Sequence, residues 1–385
     1  MLVFLWCQLG YTFCHPVLLT IIGTILFTTI MCLRSLLRPP DTAPHLFYKD
    51  STLAKYVLKR CPRIQLPVDI PIYMRNAHVQ TVLSVIIAKP FQEFDRKYLE
   101  MKDGGAVALD WAVPEKQKLK RNAPILLIVP GFVGSAENCT FLCRRASQRG
   151  FRVVVFNKRG HGGSLLTSPK LQSLGDPNDL RQVVKYIRTA FPGAKIVAVG
   201  YSIGADLLLS YLGEYGSSAY VTAGACICPT YEAETFFTAS ILKPYEFLIL
   251  FALKLLVARH AVALSKVVDV DGVIRCNSLV EYEDKLYRHM YGYRNLSQYW
   301  ERNCPMRDID EVSTPVLCIN SYDDPISRKE NIPFDLFEAS PNFLLAACER
   351  GGHCGFLTGH QMVPWSDKLA LDYVGAVLDF MAKYN

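Results

Sequence analysis

From residue 125 onward, short runs of β-branched and aliphatic residues alternate with longer stretches in which apolar positions recur at helical spacing. The runs are Ile125–Val129, Arg152–Asn157, 196–200, Ala223–Ile227, Val316–Ser321 and 343–347. Continuous apolar runs of this length predict strands buried on both faces, and the helix-length segments between them make the sheet parallel. Residues 176–191 carry apolar side chains at helical spacing and stop at Pro192-Gly193; a second helix is expected to start at Ser202 and to run through 212. Ahead of these, 98–113 reads as a hairpin whose alternating strands turn at Asp103-Gly104-Gly105. The predicted class is α/β: a mostly parallel, doubly wound sheet with a leading antiparallel hairpin.

Three segments stand outside the alternation. Residues 229–305 contain no clear strand and many aromatics, among them Phe236, Phe237, Tyr245, Phe247, Phe251, Tyr287, Tyr291, Tyr293, Tyr299 and Trp300. They predict a helical cap inserted into the body at 96–385, with an apolar entrance. Residues 39–95 are first polar and Pro-spaced, then apolar, and predict an N-terminal helical layer. Residues 1–33 hold no Asp, Glu, Lys or Arg, and Pro39-Pro40 ends the apolar run. A bilayer crossing needs about 20 mainly apolar residues, so 1–38 predicts an N-terminal transmembrane helix, an uncleaved anchor. A secreted protein behind a signal peptide is the alternative, although no basic n-region or A-x-A-like exit is present. The expected location is therefore an endomembrane, single-pass. Arg34, Arg38, Lys49, Lys55, Lys59 and Arg60 follow the anchor and favour a cytosolic body. The sequons at Asn138 and Asn295 matter only if that body faces a lumen.

Composition narrows the function. With 385 residues, 50% of them apolar and 20% charged, the chain is neither a disordered tail nor a disulfide mini-scaffold. The net charge of +7 is spread without a basic tract, which argues against nucleic acid as a partner. Thirteen cysteines show no C-x-x-C spacing, so they read as free thiols and imply no metal. The stretch 158–163 lacks Walker spacing, leaving Arg159 as a structural residue, and no cofactor is expected.

The candidate chemistry lies at Gly200-Tyr201-Ser202-Ile203-Gly204, directly after an expected strand and directly before an expected helix. That is the setting of a nucleophile elbow: small residues two positions either side of the serine let a sharp turn close, and the helix N-terminus faces the developing oxyanion. In this architecture an acid and a histidine follow in order on later strand ends. Tyr322-Asp323-Asp324-Pro325 follows one expected strand and Gly351-Gly352-His353-Cys354-Gly355 follows the last. His353 would take the proton of Ser202 while a carboxylate orients its ring. Adjacent residues leaving a strand point to opposite sides; Asp324 is favoured, with Asp323 capping local backbone. The loop 130–135 should supply the Phe132 backbone N–H, which with that of Ile203 forms the oxyanion hole.

These residues, with His78-Val79-Gln80-Thr81, the loop 156–160 and Gly351-Gly352-His353-Cys354-Gly355-Phe356, resemble the membrane-anchored, lipase- and esterase-like α/β-hydrolase family of type 4. The resemblance covers roughly residues 65–360. It implies an α/β-hydrolase fold, lipid ester substrates and, by its pattern of paired acids, Asp324 as the third member of the triad. The resulting expectation is a membrane-bound serine hydrolase of phospholipid or acylglycerol esters using Ser202, Asp324 and His353. The competing expectation is a weakly active, hydrolase-like scaffold that recruits a protein partner in lipid metabolism.

Overall fold

The computed structural model describes residues 42–114 and 119–384, and of the first 41 residues only positions 22, 23, 26 and 30. Apart from those four helical positions the expected anchor lies outside the described residues. Among the described residues no helix is long and apolar enough to cross a membrane.

Nine strands form one sheet. They are β1 (His45–Phe47), β2 (Phe94–Glu100), β3 (Ala106–Ala112), β4 (Ile125–Val129), β5 (Arg152–Asn157), β6 (Ile196–Tyr201), β7 (Ala223–Ile227), β8 (Val316–Ser321) and β9 (Phe343–Cys348), in the order β1-β9-β8-β7-β6-β4-β5-β3-β2. The six strands from β9 to β5 are mutually parallel. The hairpin β2–β3 joins one edge through an antiparallel β3–β5 pair. Within 39–95, where a helical layer is expected and the helices Thr52–Arg60 and Ala77–Ile86 lie, β1 also pairs antiparallel with β9, His45 against Ala347. A three-residue strand is too short to display a period, so no pattern announced it.

Alternate residues of each central strand feed two cores. Leu126 and Ile128 of β4 pack with the helices Thr52–Arg60, Thr140–Gln148 and Trp365–Tyr384. Ile125, Leu127 and Val129 pack on the other face with Asn178–Ala190 and Ile203–Tyr215. A third core lies above the C-terminal ends of the strands, in the helical segment between β7 and β8. Phe236, Phe237, Tyr287, Tyr299 and Trp300 are buried there, and Ile203 reaches into it from the body. The longest helix of this segment, Lys243–Arg259, is apolar on nearly all sides; it buries Leu250, Leu253 and Val257 and leaves Phe247, Leu248, Phe251 and Leu255 exposed.

Candidate active site

Ser202 sits between the last residue of β6 and the first of the helix Ile203–Tyr215, with φ 51° and ψ −126°. This left-handed conformation is costly for any residue with a side chain and persists only where its surroundings enforce it. Here the turn is tight enough to demand glycine on both sides. A Cβ on Gly200 would stand 2.5 Å from Ala205 Cα, and one on Gly204 would stand 2.2 Å from the Val129 carbonyl oxygen. The Ser202 N–H donates to the Ile227 carbonyl at 2.8 Å, tying the turn to β7.

The loop after β4 closes against the same serine, since a Cβ on Gly131 would lie 3.5 Å from Ser202 Cβ. Phe132 and Ile203 thus occupy the two segments that flank Ser202. The Phe132 ring stacks on Phe236 at 6.3 Å. Sequence reasoning missed what holds this loop. The buried Lys158 ammonium donates to the carbonyls of Gly131 and Phe132, the latter at 2.9 Å. Burial pulls the Lys158 amine down to about 7.

His353 and Asp324 complete a series with Ser202. The His353 Nε2 lies 2.8 Å from Ser202 Oγ, and its Nδ1 lies 2.8 Å from Asp324 Oδ2. The other carboxylate oxygen of Asp324 accepts the N–H groups of Ile326 at 2.8 Å and Ser327 at 2.9 Å. Burial by itself disfavours the imidazolium, but the Asp324 carboxylate outweighs it, and His353 is raised well above the ordinary histidine value. Asp323 points elsewhere and accepts from Gly351 N–H at 3.0 Å and Gly352 N–H at 2.9 Å. Burial raises its carboxyl above the usual range.

The motif His78 to Thr81 lies on the helix Ala77–Ile86 and grips the loop that carries His353. Thr81 Oγ1 accepts the His353 N–H at 2.9 Å; Gln80 Oε1 accepts the Leu357 N–H at 2.8 Å, while its amide donates to the Leu357 carbonyl at 3.3 Å. Gly352, at φ 56°, lets the loop approach, because a Cβ there would meet the Ala77 carbonyl at 2.5 Å. Arg159 is buried between two carboxylates, Asp179 at 2.6 Å and Asp103 at 2.7 Å, and takes no part near Ser202.

A narrow cleft runs under the helical segment beside Phe132 and Ile203, with Lys158, Phe237, Glu283 and Tyr287 among its walls. Glu283 accepts from Tyr299 Oη at 2.6 Å, and burial pushes its carboxyl up to about 8.

Comparison with known proteins agrees with this architecture. Residues 124–266 match the family described as alpha/beta hydrolase fold. Protein ABHD15 of Homo sapiens is 38% identical over 344 residues, which span 86% of this chain and 74% of that protein. Phospholipase ABHD3 of Bos taurus is 29% identical over 350 residues, 87% of this chain and 85% of that one. Monoacylglycerol lipase ABHD2 of Homo sapiens is 28% identical over 389 residues, 93% and 91% of the two chains. The chain belongs to the α/β-hydrolase family.

Proposed function

We propose that this protein is a serine hydrolase of lipid acyl esters, phospholipid or acylglycerol, anchored to a membrane. The observation that carries the reading is the unbroken hydrogen-bond series from Ser202 Oγ through the His353 ring to Asp324, 2.8 Å at each link. Ser202 Oγ attacks the ester carbonyl as its proton passes to His353 Nε2, and Asp324 fixes the tautomer and stabilises the imidazolium. The carbonyl oxygen gains negative charge between the N–H groups of Phe132 and Ile203, where fixed donors in a water-poor site stabilise it strongly. Collapse expels the alcohol with the proton from His353, and water then releases the acyl group by the same steps in reverse.

Two further observations favour a lipid. The walls beside Ser202 are aromatic, with Phe132 against Phe236 and Phe237. The surface also exposes apolar side chains: Val82, Val85 and Ile86 on one helix, and Phe247, Phe251 and Leu255 on another. The His78–Tyr245 hydrogen bond of 2.9 Å joins these two helices. Exposed apolar side chains of this kind suit contact with a bilayer surface. The names of ABHD3 and ABHD2 point to the same substrate class.

Acyl release from vesicles of phosphatidylcholine or monoacylglycerol tests the reading. Ser202→Ala should lower turnover by about 10⁴-fold or more, since members of such a triad act as a unit. Phe247→Asp combined with Phe251→Asp should slow hydrolysis on vesicles and spare a soluble ester. No acyl release from any lipid ester by folded protein, or equal release by Ser202→Ala, would refute it.

A further inference from the structure

We propose that Cys228, Cys354 and His353 form a binding site for a soft divalent cation of the zinc type, and that its occupancy holds the hydrolase in an inactive state. The second half of this inference rests on the proposed role of His353; the first half stands on the donor atoms alone. Cys228 is the residue directly after β7, and Cys354 directly follows His353 in the loop after β9. Their two sulfur atoms and a ring nitrogen of His353 all lie within 4.8 Å of one another. Around a tetrahedral ion with metal–sulfur bonds of about 2.3 Å and metal–nitrogen bonds of about 2.0 Å, such donors stand about 3.5–3.8 Å apart. Contraction from the observed spacing is within the reach of small side-chain rotations.

The backbone holds the two thiols toward each other. Both cysteines adopt left-handed conformations, φ 50° at Cys228 and φ 55° at Cys354, which are unusual for residues other than glycine. The Cys354 N–H donates to Cys228 Sγ at 3.2 Å across 126 residues of sequence. That separation is why local C-x-x-C spacing gives no sign of the cluster. Cys228 and His353 are buried and Cys354 is half-buried.

The donor set selects the ligand. Two sulfurs and an imidazole suit zinc and similar borderline or soft ions, whereas magnesium and calcium require oxygen. Two thiolates cancel the charge of a divalent ion, so the bound unit is neutral and its burial is not opposed by net charge. Three protein ligands leave a fourth position for water. Binding exchanges two thiol protons, released to solvent, for two metal–sulfur bonds. Both ring nitrogens of His353 are already engaged, one with Ser202 and one with Asp324. A metal–nitrogen bond uses the lone pair of one of them, so the series breaks and the ring no longer accepts the Ser202 proton.

The test uses the full chain in detergent, with a non-chelating phosphine reductant, with and without zinc ion at buffered concentration. Zinc bound per chain is measured by elemental analysis after desalting, and the reactivity of Ser202 is measured with a fluorophosphonate probe. The wild type should retain one zinc per chain and lose probe labelling by about tenfold or more, with recovery on adding a chelator. Cys228→Ser and Cys354→Ser should each weaken zinc retention about tenfold or more and label normally in its presence. A wild type that retains no more zinc than the two variants, or variants inhibited by zinc as the wild type is, would overturn the proposal. One bound zinc on a protein that never labels would instead refute the hydrolase reading and leave the metal site standing.

Discussion

Asp323 and Asp324 are neighbours in the chain with separate tasks. Asp324 faces the His353 ring and is held by two backbone N–H groups; Asp323 turns to the other side and caps Gly351 and Gly352. Asp324→Asn keeps the shape and removes the charge, so kcat/KM should fall about 10²–10⁴-fold with little change in melting temperature. Asp323→Ala leaves two buried N–H groups without an acceptor and should cost about 1–3 kcal/mol of stability, with a smaller effect on turnover. Kinetics and thermal unfolding of both variants check this, and the reverse assignment of the two effects would contradict it. Ser202 and His353 are legible because each brings its own context: a strand, a turn and glycines at fixed offsets. That consecutive residues leaving a strand diverge tells only that the two acids face apart; the pattern of paired acids in the family the chain resembles is what points to Asp324. Lys158 is not legible at all, because its partners are carbonyls 26 and 27 residues away, and every residue has a carbonyl.

At the scale of elements, the helix Ala77–Ile86 serves as a clamp on the loop of His353. Thr81→Val removes the acceptor of the His353 N–H while conserving shape. Leaving a buried donor unpaired should cost about 1–3 kcal/mol. Because that donor belongs to His353, turnover should also fall, and Thr81→Ser should restore both; Thr81→Val kinetics equal to the wild type would contradict the clamp. The pattern His78 to Thr81 is visible in the sequence, but its partner lies 272 residues downstream and no local spacing connects them. The central strands are legible because burial on both faces writes a continuous apolar run. β1 escapes because three residues cannot show a period, and its pairing with β9 is set by tertiary contact. The helix Lys243–Arg259 is recognisable as helical, yet its apolar residues surround it, so the sequence does not tell which face is covered.

The whole molecule is a sheet-based body with a helical segment seated over the C-terminal ends of its strands, and Glu283 lies buried inside that segment. Its folded-state pKa, about 8, lies above the ordinary glutamate value of 4.5. The folded state therefore binds this proton more tightly than the unfolded chain, and the stability it confers is full below about pH 4.5 and lost as pH rises through 8. Glu283→Gln retains a hydrogen-bonding side chain for Tyr299 without the titration. The melting temperature of the wild type should drop relative to Glu283→Gln between about pH 5 and pH 9. Parallel curves for the two proteins would contradict the assignment. The proposed hydrolase depends on the body and its loops making one alcohol reactive toward esters. Fluorophosphonate labelling of the folded full-length protein, mapped by mass spectrometry, tests it most directly. Covalent modification is expected at Ser202 in the wild type, none at that position in Ser202→Ala, and labelling slowed by about 10³-fold or more in His353→Ala. A folded wild type left unmodified at Ser202, or a His353→Ala variant labelled at the wild-type rate, would contradict it.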